Sequence, residues 1–524
     1  MRNRSKRPKR IIAAALTTLF LSHQTLMLSV VASEITGVTG NNGVYNIDPS
    51  ALIKDTDIGY RKYKNFNLDK NDIANLIFKY GDTDISTFVN LVDNQINING
   101  LVNSMRNGNF YNGKAIFISP NGMIVGASGV INVGSLGVYT PSNEVYERYK
   151  NNPTANLNGI TSSNNGKPIT INGKVLVAND VTLSGGKVTL GQNAGIIAGI
   201  NESQMAQITA NDQANALFTQ LVNTDNLNMA NAFSSDNGNV YITTNQTTEN
   251  AGVDIQGDIR NFGKGNIEIR NVGADGINVS GNIANANGLV KLNNNWGDLN
   301  ISGSVKNNGT TQIFNVPAEG SETKFTVDGV EYSYTIDANS GLNITGNIDT
   351  KGTTTITNTG TKGLNISGKV KHDGTLSIQN GVAGDRDAAK ARNAQMTGLN
   401  ITGTVDNIGG TTDITNYAAN GLNVSGTVAS NGDLTMTNTG AKGLNIESTG
   451  RVNGNSNITT NNNGKDGTNI KGLVNAKKNV NINNQDSNVT IGDNTTNEKY
   501  VTAGNDINII VTDGSILNYG VDKV

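Results

Sequence analysis

The sequence predicts an all-β chain wound as a parallel β-helix of about 22-residue coils, with an N-terminal cap and short decorating helices. Three observations carry that expectation. One short element recurs through the second half of the chain. Apolar residues within it alternate with polar ones, so each strand buries a single face. The composition is also wrong for one large conventional core: aromatics are only 5% and Gly numbers 62, with Asn, Thr and Ser supplying most of the polarity. Charged residues are 16%, too few for repulsion to keep such a chain unfolded.

From the N-terminus, "MRNRSKRPKR" sets six basic residues before the apolar run "IIAAALTTLFLSHQTLMLSVVAS". A basic segment, an apolar segment and small residues at Val30, Ala32, Val31 and Ser33 read as a cleaved secretory signal over residues 1–33. A membrane anchor is the alternative, disfavoured because Ser22, His23 and Gln24 interrupt the apolar run. No later segment approaches transmembrane length, so stable membrane insertion is not expected. The chain has no cysteine, which excludes disulfides, thiolate metal sites and cysteine nucleophiles. A formal net charge of −2 argues against nucleic acid as a partner.

Residues 34–200 form a block of short strands punctuated by turns at Pro120-Asn121-Gly122, Ala127-Ser128-Gly129 and Gly185-Gly186. Two stretches depart from alternation. Asn71–Tyr80 places Ile73, Leu76, Ile77 and Tyr80 at helical spacing, and Glu202–Val222 does so with Met205, Ile208, Leu217, Phe218 and Leu221. Both predict short helices, the second within an irregular insertion at residues 201–235.

The repeats occupy residues 236–524. "GINVSGNI", "DLNISGSV", "GLNITGNI", "GLNISGKV", "GLNITGTV", "GLNVSGTV", "GLNIESTG" and "GTNIKGLV" are one element written eight times. Their asparagines are Asn278, Asn300, Asn343, Asn365, Asn400, Asn423, Asn445 and Asn469, spaced by 22 to 24 residues except at two gaps of 43 and 35. The first gap holds a predicted hairpin, Lys324–Ile336, around Asp328-Gly329; the second holds the charged insertion ending at Met396. Coils of this size stack about 4.8 Å apart, so roughly 20 of them predict a rod about 90 Å long. The recurrent asparagines point away from the buried face and are expected to form an amide ladder from coil to coil.

Chemistry is sparse. His23 lies in the signal, and His372, in "KVKHDGTLS", reads as a solvated turn residue. No nucleophile elbow or phosphate loop is present, and Asp385 and Asp387 read as surface charges. Asp254, Asp275 and Asp298 read as scattered, without coil spacing. The expectation is a non-enzyme with no cofactor and no metal site.

The order "GVYNIDPS", "YRKYKNFNLD", "QININGLVN", "NFYNGKAIFISPNGMIVGASGVINVGSLGVYTPS" and "NGKPITINGKVLVANDVTLSGGKVTLG" resembles the secretion domain of two-partner secretion exoproteins, the filamentous haemagglutinin type. It is most similar to the leukotoxin-family filamentous adhesins, over about Gly37–Ile200, and the insert Asn71–Asp93 is read as typical of that branch. The family's NPNG-type motif falls on Ser119, Pro120, Asn121 and Gly122, with serine in place of the first asparagine. Its tyrosine/Phe-Asn element falls on Tyr63, Phe66 and Asn67. The resemblance implies a right-handed β-helix exported through the periplasm of a Gram-negative-type bacterium. The partners implied are an outer-membrane β-barrel transporter with POTRA domains and a host receptor or glycan. The expected role is a secreted or surface adhesin of the haemagglutinin kind; a leukotoxin-like cytolysin and a β-helical polysaccharide-active enzyme are the alternatives. The chain stops at "SILNYGVDKV" in strand-like alternation, which reads as a truncated product of a longer adhesin.

Overall fold

In the computed structural model, residues 33–523 are described except 162–166, 224–237, 249, 318–321, 328–329, 336–338, 385–386 and 493–498. Residues 1–33, expected to be a secretory signal, therefore lie outside the described residues apart from Ser33, as do Asp328-Gly329 and Asp385.

The chain is the expected parallel β-helix, with three strands per coil. In one representative coil, Gly341–Ile344 lies on the first face. Asn347–Asn358 then supplies the second and third faces in one continuous strand. The next coil repeats this in register, Leu342 beside Leu364 and Ile348 beside Val370. Alternation explains the winding. Leu342, Ile344, Ile348 and Ile356 point inward and are buried, and their equivalents in neighbouring coils stack into one core along the axis. Each coil thus buries its apolar residues chiefly against the coils above and below it.

The first face is a sheet of 17 strands. Sixteen run parallel, from Phe66–Leu68 to Ile516–Asn518, fewer than the roughly 20 coils expected because insertions consume chain between them. At about 4.8 Å per coil the rod is about 70 Å long. The seventeenth strand, Glu34–Ile35, runs antiparallel to Phe66–Asn67 and occupies the edge of the first coil. Such a strand blunts an edge that would otherwise pair with another sheet.

Insertions leave without disturbing the stack. The first-face strands on either side of the 43-residue gap pair directly, Asn300 with Asn343, as do Asn365 and Asn400 across the 35-residue gap. The first insertion is the predicted hairpin, Glu322–Val327 against Val330–Thr335. The second holds a helix, Asp387–Gln395, which the charge pattern had not disclosed. The helices expected in Glu202–Val222 are present as Glu202–Met205 and Asn211–Val222. They lie over outward apolar residues of the second face, including Leu176 and Ile197. Gly195 makes room there, since a Cβ on it would stand 1.9 Å from the Phe218 ring.

Asn71–Tyr80 is not helical. Ile73–Ile77 is a second-face strand paired with Leu101–Met105, and the insert to Asp93 continues as short strands. Ala74 and Leu76 point into the core, while Ile73 points outward and packs near the covering helices. Apolar residues on both faces of a strand imitate helical spacing, and that misled the reading.

His372 is also not a solvated turn residue. It is fully buried within the strand Lys369–Asn380, with Nδ1 3.0 Å from the Thr350 hydroxyl of the preceding coil. Burial pushes its pKa below the ordinary value of 6.5, against opposing backbone hydrogen bonds and Asp373. As pH falls below that of free histidine, the unfolded chain takes up the proton first, so stability held above about pH 6.5 declines below it. The melting temperature is expected to drop between pH 7.5 and pH 5. The drop should shrink in His372→Asn, which installs the residue found at the paired position Asn407. An unchanged pH dependence in that variant would show that His372 is not the responsible group.

Candidate functional site

The Tyr63/Phe66/Asn67 element and Ser119–Gly122, with 52 positions from Asn67 to Ser119, meet at one corner of the first coils. This corner joins the third face of one coil to the first face of the next. Its three successive levels are Tyr63–Asn67, Asp93–Asn97 and Ser119–Met123, tied together by Asp93 N–H to the Tyr63 carbonyl and Asn94 N–H to the Lys64 carbonyl, at 3.0 and 3.1 Å.

Inside the corner, Phe66 is fully buried and lies edge-on between the rings of Tyr63 and Phe117, each centroid 5.4 Å away. Strand alternation turns Tyr63 inward at the end of Ile58–Tyr63, and its hydroxyl donates to the buried Asn90 Oδ1 at 2.8 Å. Burial raises the Tyr63 pKa far above that of free tyrosine. Asn67 faces outward on the first face, where its Oδ1 accepts from Asn97 Nδ2 at 2.8 Å.

Ser119-Pro120-Asn121-Gly122 forms the third level of this corner. The buried Ser119 hydroxyl donates to the Asn94 carbonyl at 2.8 Å and accepts from Asn121 N–H at 3.0 Å, closing the turn. Asn121 Nδ2 donates to the Asp93 carbonyl at 2.7 Å. Gly122 has φ +88°, and a Cβ there would stand 2.6 Å from the Pro168 carbonyl oxygen of the next coil. Glycine is needed on both counts. Serine at the first motif position thus retains a side chain that fastens the turn to the coil beneath.

Sequence reasoning missed the outer wall of this corner. The helix Asn143–Asn151, N-capped by Ser142, lies over the third face and buries Tyr146 and Tyr149 near Val89, Leu91, Ile116 and Ile118. Tyr146 donates to Asp93 Oδ1 at 2.9 Å, and Lys150 reaches the same oxygen at 2.5 Å. Burial, reinforced by Asp93, raises the Tyr146 pKa, while burial pushes Tyr149 up to about 12. The signal for this helix was present: Pro141-Ser142 before Asn143-Glu144 is an N-cap followed by an acidic first turn, with Arg148 and Lys150 in the last.

The ladder asparagines Asn278, Asn300, Asn343, Asn365, Asn400, Asn423, Asn445 and Asn469 lie in one half-buried column on the first face. Each Nδ2 donates to the Oδ1 of the preceding coil, at 2.9–3.0 Å over seven bonds. A second column was not anticipated. Asn271, Asn294, Asn315, Asn358, Asn380, Asn416, Asn438 and Asn462 end third-face strands, Asn484 is the last but one of its strand, and all are buried. They bond in the opposite sense, each Nδ2 donating forward to the next Oδ1 at 2.7–2.9 Å. Several also clamp their own turn, as Asn358 does by donating to the Gly360 carbonyl and accepting its N–H.

The acidic residues share no register position, as the sequence suggested. Leu299 pairs with Ile277, which sets Asp298 level with Gly276 and one residue out of step with Asp275. Asp254 stands in the outer asparagine column, beside Asn278. Asp275 and Asp298 are ion-paired, with Lys187 and Lys362 respectively. Among the described residues, no group of three or more His, Asp or Glu side chains could hold a metal ion. No described helix is long and apolar enough to cross a membrane. Comparison of the chain with protein-family models and with curated proteins returned no match.

Proposed function

We propose that the chain is a two-partner secretion exoprotein, a surface or secreted adhesin of the filamentous haemagglutinin kind, delivered through a POTRA-bearing outer-membrane barrel. The reading rests on the sequence resemblance. The observation that supports it best is the junction of Tyr63, Phe66 and Asn67 with Ser119–Gly122 at one corner of the first coils. Residues that serve a common recognition or nucleation step should lie together in the folded chain. A β-helix also suits export, because each coil needs only its neighbour and can add outside the pore. No catalytic role is assigned, and the buried His372 is part of the core rather than of a nucleophilic site.

Export from cells lacking the POTRA-bearing barrel tests the reading. The chain should then accumulate in the periplasm, and normal secretion would overturn it. Gly122→Val, which introduces a clash at Pro168 and an unfavourable φ, should slow export in cells that retain the barrel.

A further inference from the structure

The helix Asp387–Gln395 does not cover apolar surface as the others do. Asn143–Asn151 buries two tyrosines, and Asn211–Val222 buries Ala214, Phe218 and Leu221, each over an apolar patch of the rod. Among the described side chains in and beside Asp387–Gln395, only Ala389 and Met396 are apolar and buried. Polar bonds hold this helix instead. Arg392 donates to the carbonyls of Thr359 at 2.7 Å and Pro317 at 3.2 Å. Asn393 clamps the backbone of Val382 with two bonds of 2.8 Å. The Ala419 N–H closes the helix onto the next corner at 2.9 Å.

What this fixed helix creates is a cleft of about 560 Å³, within the range of small-ligand sites. Its lining includes Lys390 and Ala394 from the helix and Tyr417, Thr439 and Asn463 from successive corners. Tyr417 follows the buried ladder residue Asn416, a position filled by Val316, Thr359, Thr439 and Asn463 in other coils. The aromatic ring thus stands at the one corner beside the helix. Gly381 leaves space for it, because a Cβ there would lie 2.7 Å from the Tyr417 Cβ.

We propose that this cleft binds carbohydrate, with preference for saccharides that carry a carboxylate. A half-buried tyrosine ring offers a flat apolar surface to the C–H face of a pyranose, together with a polar tip. The Thr439 hydroxyl and Asn463 amide supply donors and acceptors for sugar hydroxyls. Among the described residues of the lining, Lys390 is the only charged one, so the site favours an anion. Asp387, one turn earlier on the helix, is exposed and outside the lining. The cellular role of such a site, as a receptor contact, rests on the adhesin reading; the binding itself does not.

Calorimetric titration of the full chain with sialyllactose and with lactose tests the proposal. Sialyllactose should bind, and lactose at least about tenfold more weakly. Tyr417→Ala should weaken sialyllactose by about tenfold or more, and Lys390→Met should bring it to the lactose level. Unchanged melting curves would confirm that both variants retain the fold. Absence of saturation by either sugar, or undiminished binding in a folded Tyr417→Ala protein, would overturn the site. Equal binding of the two sugars would overturn the carboxylate preference. Secretion without the barrel would defeat the export reading and leave these results standing.

Discussion

Phe66→Ala is expected to cost about 3–5 kcal/mol, the range for truncating a fully buried phenylalanine. The ring sits between Tyr63 and Phe117, so its loss removes two edge-on contacts and opens a cavity between the first coils. Because a solenoid unfolds locally before it unfolds globally, the damage should concentrate near the N-terminal end. Hydrogen exchange measured by mass spectrometry should show faster exchange over residues 58–125, with the coils beyond about 400 unaffected. Uniform acceleration along the whole chain would mean that the rod unfolds as one unit. Tyr63→Phe is a milder companion. It removes only the hydroxyl bonded to Asn90 and should cost about 1–3 kcal/mol by leaving a buried group short of a partner.

Asn438→Ala is expected to be the most damaging single change in the repeats. The side chain donates to the Gly440 carbonyl at 2.8 Å and to Asn462 Oδ1 at 2.9 Å. Its oxygen accepts from Asn416 at 2.9 Å and from Gly440 N–H at 3.3 Å. Truncation leaves buried groups in three coils under-bonded, at about 1–3 kcal/mol for each one left without a partner. Asn365→Ala, in the half-buried outer column, exposes its neighbours to water and should cost about 1 kcal/mol. Protease susceptibility of the two variants compares them directly. Equal or greater damage from Asn365→Ala would show that the buried column is not the stronger one.

Much of the architecture was legible because a β-helix writes its period into the sequence. The eight-fold "GLNITG"-like element marks the first face, and its alternation orients each strand. The two long gaps proved to be excursions from an unbroken stack. The inner column was harder to see, since it begins a turn whose following residues vary. Even so, the Asn-x-Gly sequences at Asn271, Asn358, Asn438 and Asn462 carried the signal, because asparagine and glycine recur there for the turn. Local reading failed where outward-facing side chains are also apolar, as at Ile73. It failed again at His372, where the "HDG" sequence suggests a turn but the strand runs straight through. The meeting of Phe66 with Phe117 was beyond any local pattern, because it depends on how many residues each of the first coils spends.

The opposed sense of the two asparagine columns bears on how long such a rod can become. Backbone carbonyls fix the orientation of several amides, Asp275, Lys442 and Asp466 in the outer column and Gly360, Gly440 and Gly464 in the inner, and the amide-to-amide bonds carry that sense along each column. The amide dipoles of one column therefore point toward the N-terminal end and those of the other toward the C-terminal end. Aligned peptide dipoles in a helix sum to partial charges at its ends. Here the paired columns cancel, so each added coil extends the fibre without charging its tips.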